Sequence, residues 1–170
     1  MKLKALFALI FLTIVISNCG MFPGDETVEI MLDEYKISVE YEPATMGDTD
    51  RVSIVYPGRK LKLGGEKPAV FTTESNLTSG AGVVFEGTFS IWLHRGLKDN
   101  WYLLYSRDVE GTEYNKNLDQ SVLPLKYGTD PTPVDELSIT LNKSDEEAAF
   151  AISWGIHRFE TMFALPPVKN

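Results

Sequence analysis

Apolar and polar residues alternate with a period of two along most of this chain. Ile30 and Leu32 alternate with Glu29 and Asp33, and Tyr35, Ile37, Val39 and Tyr41 alternate with Lys36, Ser38 and Glu40. Successive side chains of a strand point to opposite faces, so each run predicts a half-buried strand. Val52, Ile54 and Tyr56 extend the pattern to Pro57-Gly58, and Pro68 to Thr73 and Ala81 to Phe85 supply two more strands. The clearest is Thr88 to His94, with Phe89, Ile91 and Leu93 on one face and Thr88, Ser90, Trp92 and His94 on the other. Trp101 to Ser106 is expected to pair with it across the polar, glycine-containing Arg95 to Asn100 connection. Glu136 to Leu141 and Glu147 to Trp154 predict a second hairpin across Asn142 to Asp145. Ile156 to Phe163 follows, and Gly155 marks a bulge or bend before it.

No amphipathic helical pattern exceeds two turns, and the helix potential of Asp145 to Ala151 is the main rival to a strand there. About nine or ten short strands with regular turn signals argue an all-β domain, a jelly-roll-like β-sandwich first and an open barrel second. There is no internal repeat.

The N-terminal residues follow another pattern. Lys2 and Lys4 precede an uninterrupted apolar run from Ala5 to Ile16, which gives way to Ile16-Ser17-Asn18-Cys19-Gly20. The run is shorter than the about 20 residues that cross a bilayer, and has the form of a signal peptide. Cys19 is the chain's single cysteine, and its setting resembles a bacterial lipoprotein processing site, although Asn18 stands where that pattern prefers a small residue. The resemblance implies a diacylglycerol thioether and an amide-linked acyl chain on Cys19, and multiple chains anchor stably where a single one binds marginally. The alternative is an ordinary secretory signal that leaves Cys19 as a free thiol. The organisation expected is a signal peptide over residues 1–18, a lipidated tether over 19–26 containing Pro23-Gly24, and one domain over 27–170. Gly20 after the cysteine favours the outer over the inner membrane of a bacterial envelope.

The formal charge is −8, and loss of Lys2 and Lys4 would make it two units more negative. Such a chain repels nucleic acid and anionic lipid headgroups over any distance that salt does not screen, which excludes nucleic acid as a partner. The chemistry-bearing residues are sparse. His94 and His157 are the only histidines and fall on different strands, and a metal site would require them to converge with a carboxylate. No Gly-x-Ser-x-Gly is present, and no Ser-His-Asp arrangement can be assigned. Asp48-Thr49-Asp50 lacks the rest of a calcium loop and reads as a solvated turn. Gly64-Gly65 and Gly80-Ala81-Gly82 lack the helix and lysine of a phosphate cradle, so they read as turns. Asn76-Leu77-Thr78 matches a glycosylation acceptor by coincidence in a bacterial chain. No catalytic residue, metal or cofactor is expected.

Several blocks, in order, resemble a known family. They are Arg51-Val52-Ser53-Ile54-Val55-Tyr56 running into Gly58-Arg59, Glu86-Gly87-Thr88-Phe89-Ser90-Ile91-Trp92, and Asn100-Trp101-Tyr102-Leu103-Leu104-Tyr105, followed by Glu136 to Leu141 and Ile152-Ser153-Trp154. Over Arg51 to Phe163 they are similar to the bacterial envelope family catalogued as domain of unknown function 2911. The resemblance implies a secreted or lipid-anchored β-sandwich with no established activity to inherit. A Trp-Arg-Thr-Gly-Ala-Asn-like block of the family has no counterpart between Lys60 and Phe85. The resemblance therefore carries no functional residues over.

The aromatics give the one functional tilt. Trp92 and His94 share the face opposite Phe89, Ile91 and Leu93, and Tyr102 lies opposite Trp101, Leu103 and Tyr105. If Trp92, His94 and Tyr102 face outward they form a candidate binding surface, since aromatics with a polar handle stack on sugars or fill a partner's pocket. The competing expectation is that a second sheet or the Gly111 to Leu125 connection covers them. The leading expectation is a non-enzymatic, lipid-anchored envelope domain that binds another protein or serves an envelope structural role. A cell-surface carbohydrate-binding module comes second, and a hydrolase with an unrecognised site third.

Overall fold

The computed structural model describes residues 24–47, 50–80 and 82–167. The expected signal peptide, Cys19 and the expected tether up to Pro23, like Asp48, Thr49 and Ala81 of the turn expectations, lie outside the described residues.

Ten strands make one antiparallel sheet that is not closed. They are β1 (Glu26–Leu32), β2 (Tyr35–Tyr41), β3 (Lys60–Lys62), β4 (Val70–Thr73), β5 (Leu77–Ser79), β6 (Gly82–Val84), β7 (Gly87–Arg95), β8 (Trp101–Ser106), β9 (Asp119–Ser144) and β10 (Glu147–Ala164). The order is β1-β2-β4-β7-β8-β9-β10-β5-β6, with β3 pairing β7. No α-helix occurs among the described residues, so the all-β expectation holds and the helical alternative for Asp145 to Ala151 is replaced by the start of β10.

The expected hairpin of β7 and β8 forms, with Trp92 opposite Leu104 and His94 opposite Tyr102. Its parity also holds: Phe89, Ile91, Leu93, Trp101, Leu103 and Tyr105 enter the core. Gly155 sits at a double register shift in β10 with φ 60°, a left-handed conformation that favours glycine, so the bulge expected there is present within one continuous strand.

Two expectations are corrected. Val52 to Tyr56 is a turn, not a strand: Val52 and Val55 are buried while Ile54 and Tyr56 are exposed, a spacing of three instead of two. Asp50 imposes this, because its backbone carbonyl accepts from Ile54 and its carboxylate from Val52 and Ser53. The Gly111 to Leu125 connection gives way to strand at Asp119, where β9 begins. The first part of β9 pairs β8 and its remainder pairs β10, so one strand serves both halves of the sheet. Pro131 and Pro133 fall between the paired positions Thr129 and Val134, where the register shifts and no ladder donor is required of them.

A single core joins these halves. Phe71 of β4 meets Tyr105 of β8 at 5.2 Å between ring centroids, Phe163 of β10 at 5.6 Å and Phe150 of β10 at 6.4 Å. The turn of β1 and β2 and the hairpin of β7 and β8 lie at opposite ends of the sheet. Each antiparallel step reverses direction, so the N-terminus of β1 is at the β7–β8 hairpin's end.

Candidate functional site

The face predicted for binding is only partly open. Trp92 points away from the core, as its parity implies, but is 6% exposed, because Tyr114 of the segment before β9 closes over it edge-on at 5.7 Å between centroids. Trp92 is therefore corrected from an outward binding residue to a buried one, and Leu104 beside it is buried too. The cover is pinned: Lys60 lies 4.6 Å over the Tyr114 ring, and the Tyr114 hydroxyl donates to Asp119. Burial first, and then this bond to a carboxylate, pushes the Tyr114 phenol well above its ordinary range. His94 and Tyr102 stay half-buried, with rings 6.0 Å apart and His94 Nδ1 3.0 Å from the Arg59 carbonyl. Tyr105 is fully buried, so it offers no exposed partner ring to Tyr102.

The densest polar cluster lies elsewhere, at the end of the sheet that carries the β7–β8 hairpin. His157 of β10, 5% exposed, places Nε2 2.8 Å from Asp50 Oδ2 and 3.4 Å from Ser53 Oγ. Its Nδ1 is 2.9 Å from the Tyr127 hydroxyl of β9, and the two rings stack at 5.9 Å and 24°. Asp50 Oδ2 also accepts from Ser53 Oγ at 2.6 Å, while Oδ1 accepts from the Val52 and Ser53 amides at 3.0 Å each. Four donors fill a carboxylate's acceptor capacity. Desolvation alone would raise this carboxyl, but the bonds from Ser53 and His157 outweigh it and hold Asp50 at about 2.

These partners assign the protons. With a neutral imidazole, Asp50 accepts from Nε2–H and Nδ1 accepts from Tyr127, so the order is carboxylate, imidazole, phenol. Ser53 is outside that order because its hydroxyl donates to Asp50 and not to the imidazole. The phenol of Tyr127 is pushed up, by desolvation first and then by the Asp50 charge, so at neutral pH it keeps its proton. The chain thus ties a turn, a bulged strand and a long strand together, and supplies no activated nucleophile.

The turn after Asp50 is fixed at further points. Arg51 lies over the Trp154 ring at 5.7 Å, Arg95 Nη1 donates to the Val55 carbonyl at 2.9 Å, and the Gly58 amide donates to the Arg95 carbonyl at 2.7 Å. Arg95 also pairs with Asp99 and covers Trp101 at 5.6 Å.

A cavity of about 490 Å³ opens on the outer face of β2, β4 and β7. Glu40, Val70 and Thr88 floor it, and Glu42, Glu66, Lys67 and Glu110 stand around it. Glu42 is partly committed, accepting from the Glu66 amide at 2.7 Å. No group of three or more metal-ligating side chains occurs among the described residues. His94 and His157 have different neighbours and do not form one site.

Sequence reasoning missed Asp50, Tyr127 and the cavity. Asp50 was read as part of a solvated turn, and no local signal links it to a histidine on the last strand. The Asp-x-x-Ser spacing from Asp50 to Ser53 was the one available hint, since an aspartate so placed caps its own turn.

The fold and this cluster define an open antiparallel all-β domain whose turn after Asp50 is locked to the sheet by an Asp–His–Tyr chain. Over residues 24–163 it matches the family described as "Protein of unknown function (DUF2911)", and the chain belongs to that family. No curated protein and no solved structure matches the chain.

Proposed function

We propose that this protein is a lipid-anchored, non-enzymatic domain of the bacterial envelope that binds a partner through the cavity on the outer face of β2, β4 and β7. The cavity carries the reading: it combines apolar floor at Val70 with carboxylates at Glu40, Glu66 and Glu110, which suits a partner presenting a basic side chain between apolar ones. The saturated Asp50–His157–Tyr127 chain supports a binding role over a hydrolytic one, because the serine beside it donates its proton to the carboxylate. A bent sheet with two facing halves, the sandwich expected from the strand pattern, is supported by the contacts of Phe71 with Phe150 and Phe163. Attachment through lipid on Cys19 rests on the apolar run from Ala5 to Ile16 that leads to that cysteine, and the outer membrane as the address rests on Gly20 after it.

The binding reading is tested by photo-crosslinking in native membranes from position 88 inside the cavity and from position 34 on the β1–β2 turn. A discrete adduct from position 88, lost in Glu110→Lys and absent from position 34, is the expected result. Equal labelling from both positions would remove the support for a site. Mass spectrometry of the mature protein tests the anchor: an unmodified thiol at Cys19 would overturn it.

A further inference from the structure

The turn after Asp50 is rigid yet displays Ile54 and Tyr56, which are 56% and 74% exposed, and Leu97 on the neighbouring β7–β8 hairpin is 76% exposed. The two loops are joined at Arg95, whose guanidinium bonds Val55 and whose backbone bonds Gly58 and Arg59. The hairpin adds strain, since Lys98 and Asp99 both take φ 59° without being glycine. Fixed, strained loops that hold large apolar side chains in solvent are unfavourable for the isolated domain and favour a surface that covers them.

Charge says what kind of surface. Residues 50–60 and 95–100 carry Arg51, Arg59, Lys60, Arg95 and Lys98 against Asp50 and Asp99, in a chain whose formal charge is −8. Asp50 and Asp99 are themselves bonded to His157 and Arg95. These two loops are therefore cationic and apolar together, the combination that seats on an anionic bilayer. Topology points the same way: β1 enters the sheet at the end that carries the β7–β8 hairpin, and the six steps from Cys19 to Asp25 span at most about 20 Å. A tether that short holds the N-terminus of β1 near the lipid surface.

We propose that the loops bearing Ile54, Tyr56 and Leu97 dock on the anionic leaflet to which Cys19 is anchored, fixing the domain's orientation on the membrane. This rests on the anchor reading above.

The full-length, processed protein is reconstituted in phosphatidylethanolamine vesicles with or without phosphatidylglycerol. A polarity-sensitive label is placed on Leu97→Cys or, as control, on Glu34→Cys at the other end; acylated Cys19 leaves the introduced thiol as the only reactive one. Nitroxide-bearing lipid should quench the label at position 97 several-fold more than at position 34. Arg59→Glu with Lys98→Glu, two exposed side chains, should reduce that difference several-fold, as should omission of phosphatidylglycerol. Equal quenching at the two positions with Cys19 acylated would overturn docking and leave the anchor standing. A free thiol at Cys19 would instead remove the anchor and docking with it. Protection of position 97 in native membranes but not in pure lipid would replace the bilayer by a protein partner.

Discussion

Asp50 and His157, 107 positions apart, meet at 2.8 Å and lock the turn that opens the matched region's first block to the final strand. The contact joins an early loop to the last element of the sheet.

Asp50→Asn should destabilise the domain by about 1 to 3 kcal/mol at neutral pH, the range for losing hydrogen bonds to a charged group. The pH dependence has a definite sign. The folded carboxyl is held at about 2, below its ordinary 3.8, so its stabilisation is full above that ordinary value and is lost as pH falls towards 2. Urea denaturation between pH 5 and pH 2 should show a steeper loss in the wild type than in Asp50→Asn. Parallel profiles would mean that the bond carries no net stabilisation.

Trp92 and Tyr114 should be coupled. Trp101 is 4% exposed in the main core, and its replacement by alanine should cost about 3 to 5 kcal/mol. Trp92→Ala should also be costly, since Tyr114 covers it, contrary to what an outward tryptophan would show. A double-mutant cycle with Tyr114→Ala should return a coupling of about 0.5 to 1.5 kcal/mol, as edge-to-face aromatic pairs do. A coupling near zero would show that the segment carrying Tyr114 does not hold its place over the sheet.

Tyr105→Phe should stabilise the protein. The Tyr105 side chain is fully buried, and its hydroxyl has no hydrogen-bond partner among the described residues. Removing a buried unsatisfied hydroxyl relieves a penalty of about 1 to 3 kcal/mol while the ring keeps its contacts with Phe71 and Phe89. Thermal denaturation that finds the variant less stable would point to a water bound at that hydroxyl.

Gly155→Ala should cost about 1 to 2 kcal/mol, from its positive φ and from a methyl placed 2.8 Å from Met46 Cε. Met46→Ala in the same chain should recover part of that loss, because it relieves the contact and not the backbone. Full recovery would assign the whole effect to packing.

The strands whose two faces differ were legible in the chain. Phe89, Ile91 and Leu93 alternate with Ser90, Trp92 and His94 because one side meets the core, and that contrast survives in the residues themselves. Residues 126–134 were not legible, since that part of β9 is largely exposed and carries Gly128, Pro131 and Pro133. Val52 to Tyr56 imitated a strand because two valines that enter the core alternate by chance with an isoleucine and a tyrosine that do not. The candidate cluster was least legible of all: Asp50, Tyr127 and His157 converge from three distant segments, and only the folded sheet brings them together.

The sharing of β9 between the two halves has a kinetic consequence. The half containing β8 waits for the first part of β9, and the second part of β9 has no partner until β10 emerges. Phe150, Phe159 and Phe163, all on β10, also fill the common core. The common core therefore waits for β10, and contacts of such high sequence separation form slowly. Until β10 pairs, the apolar faces of the earlier strands have no full cover, which makes the pairing of β9 with β10 the step that closes the domain.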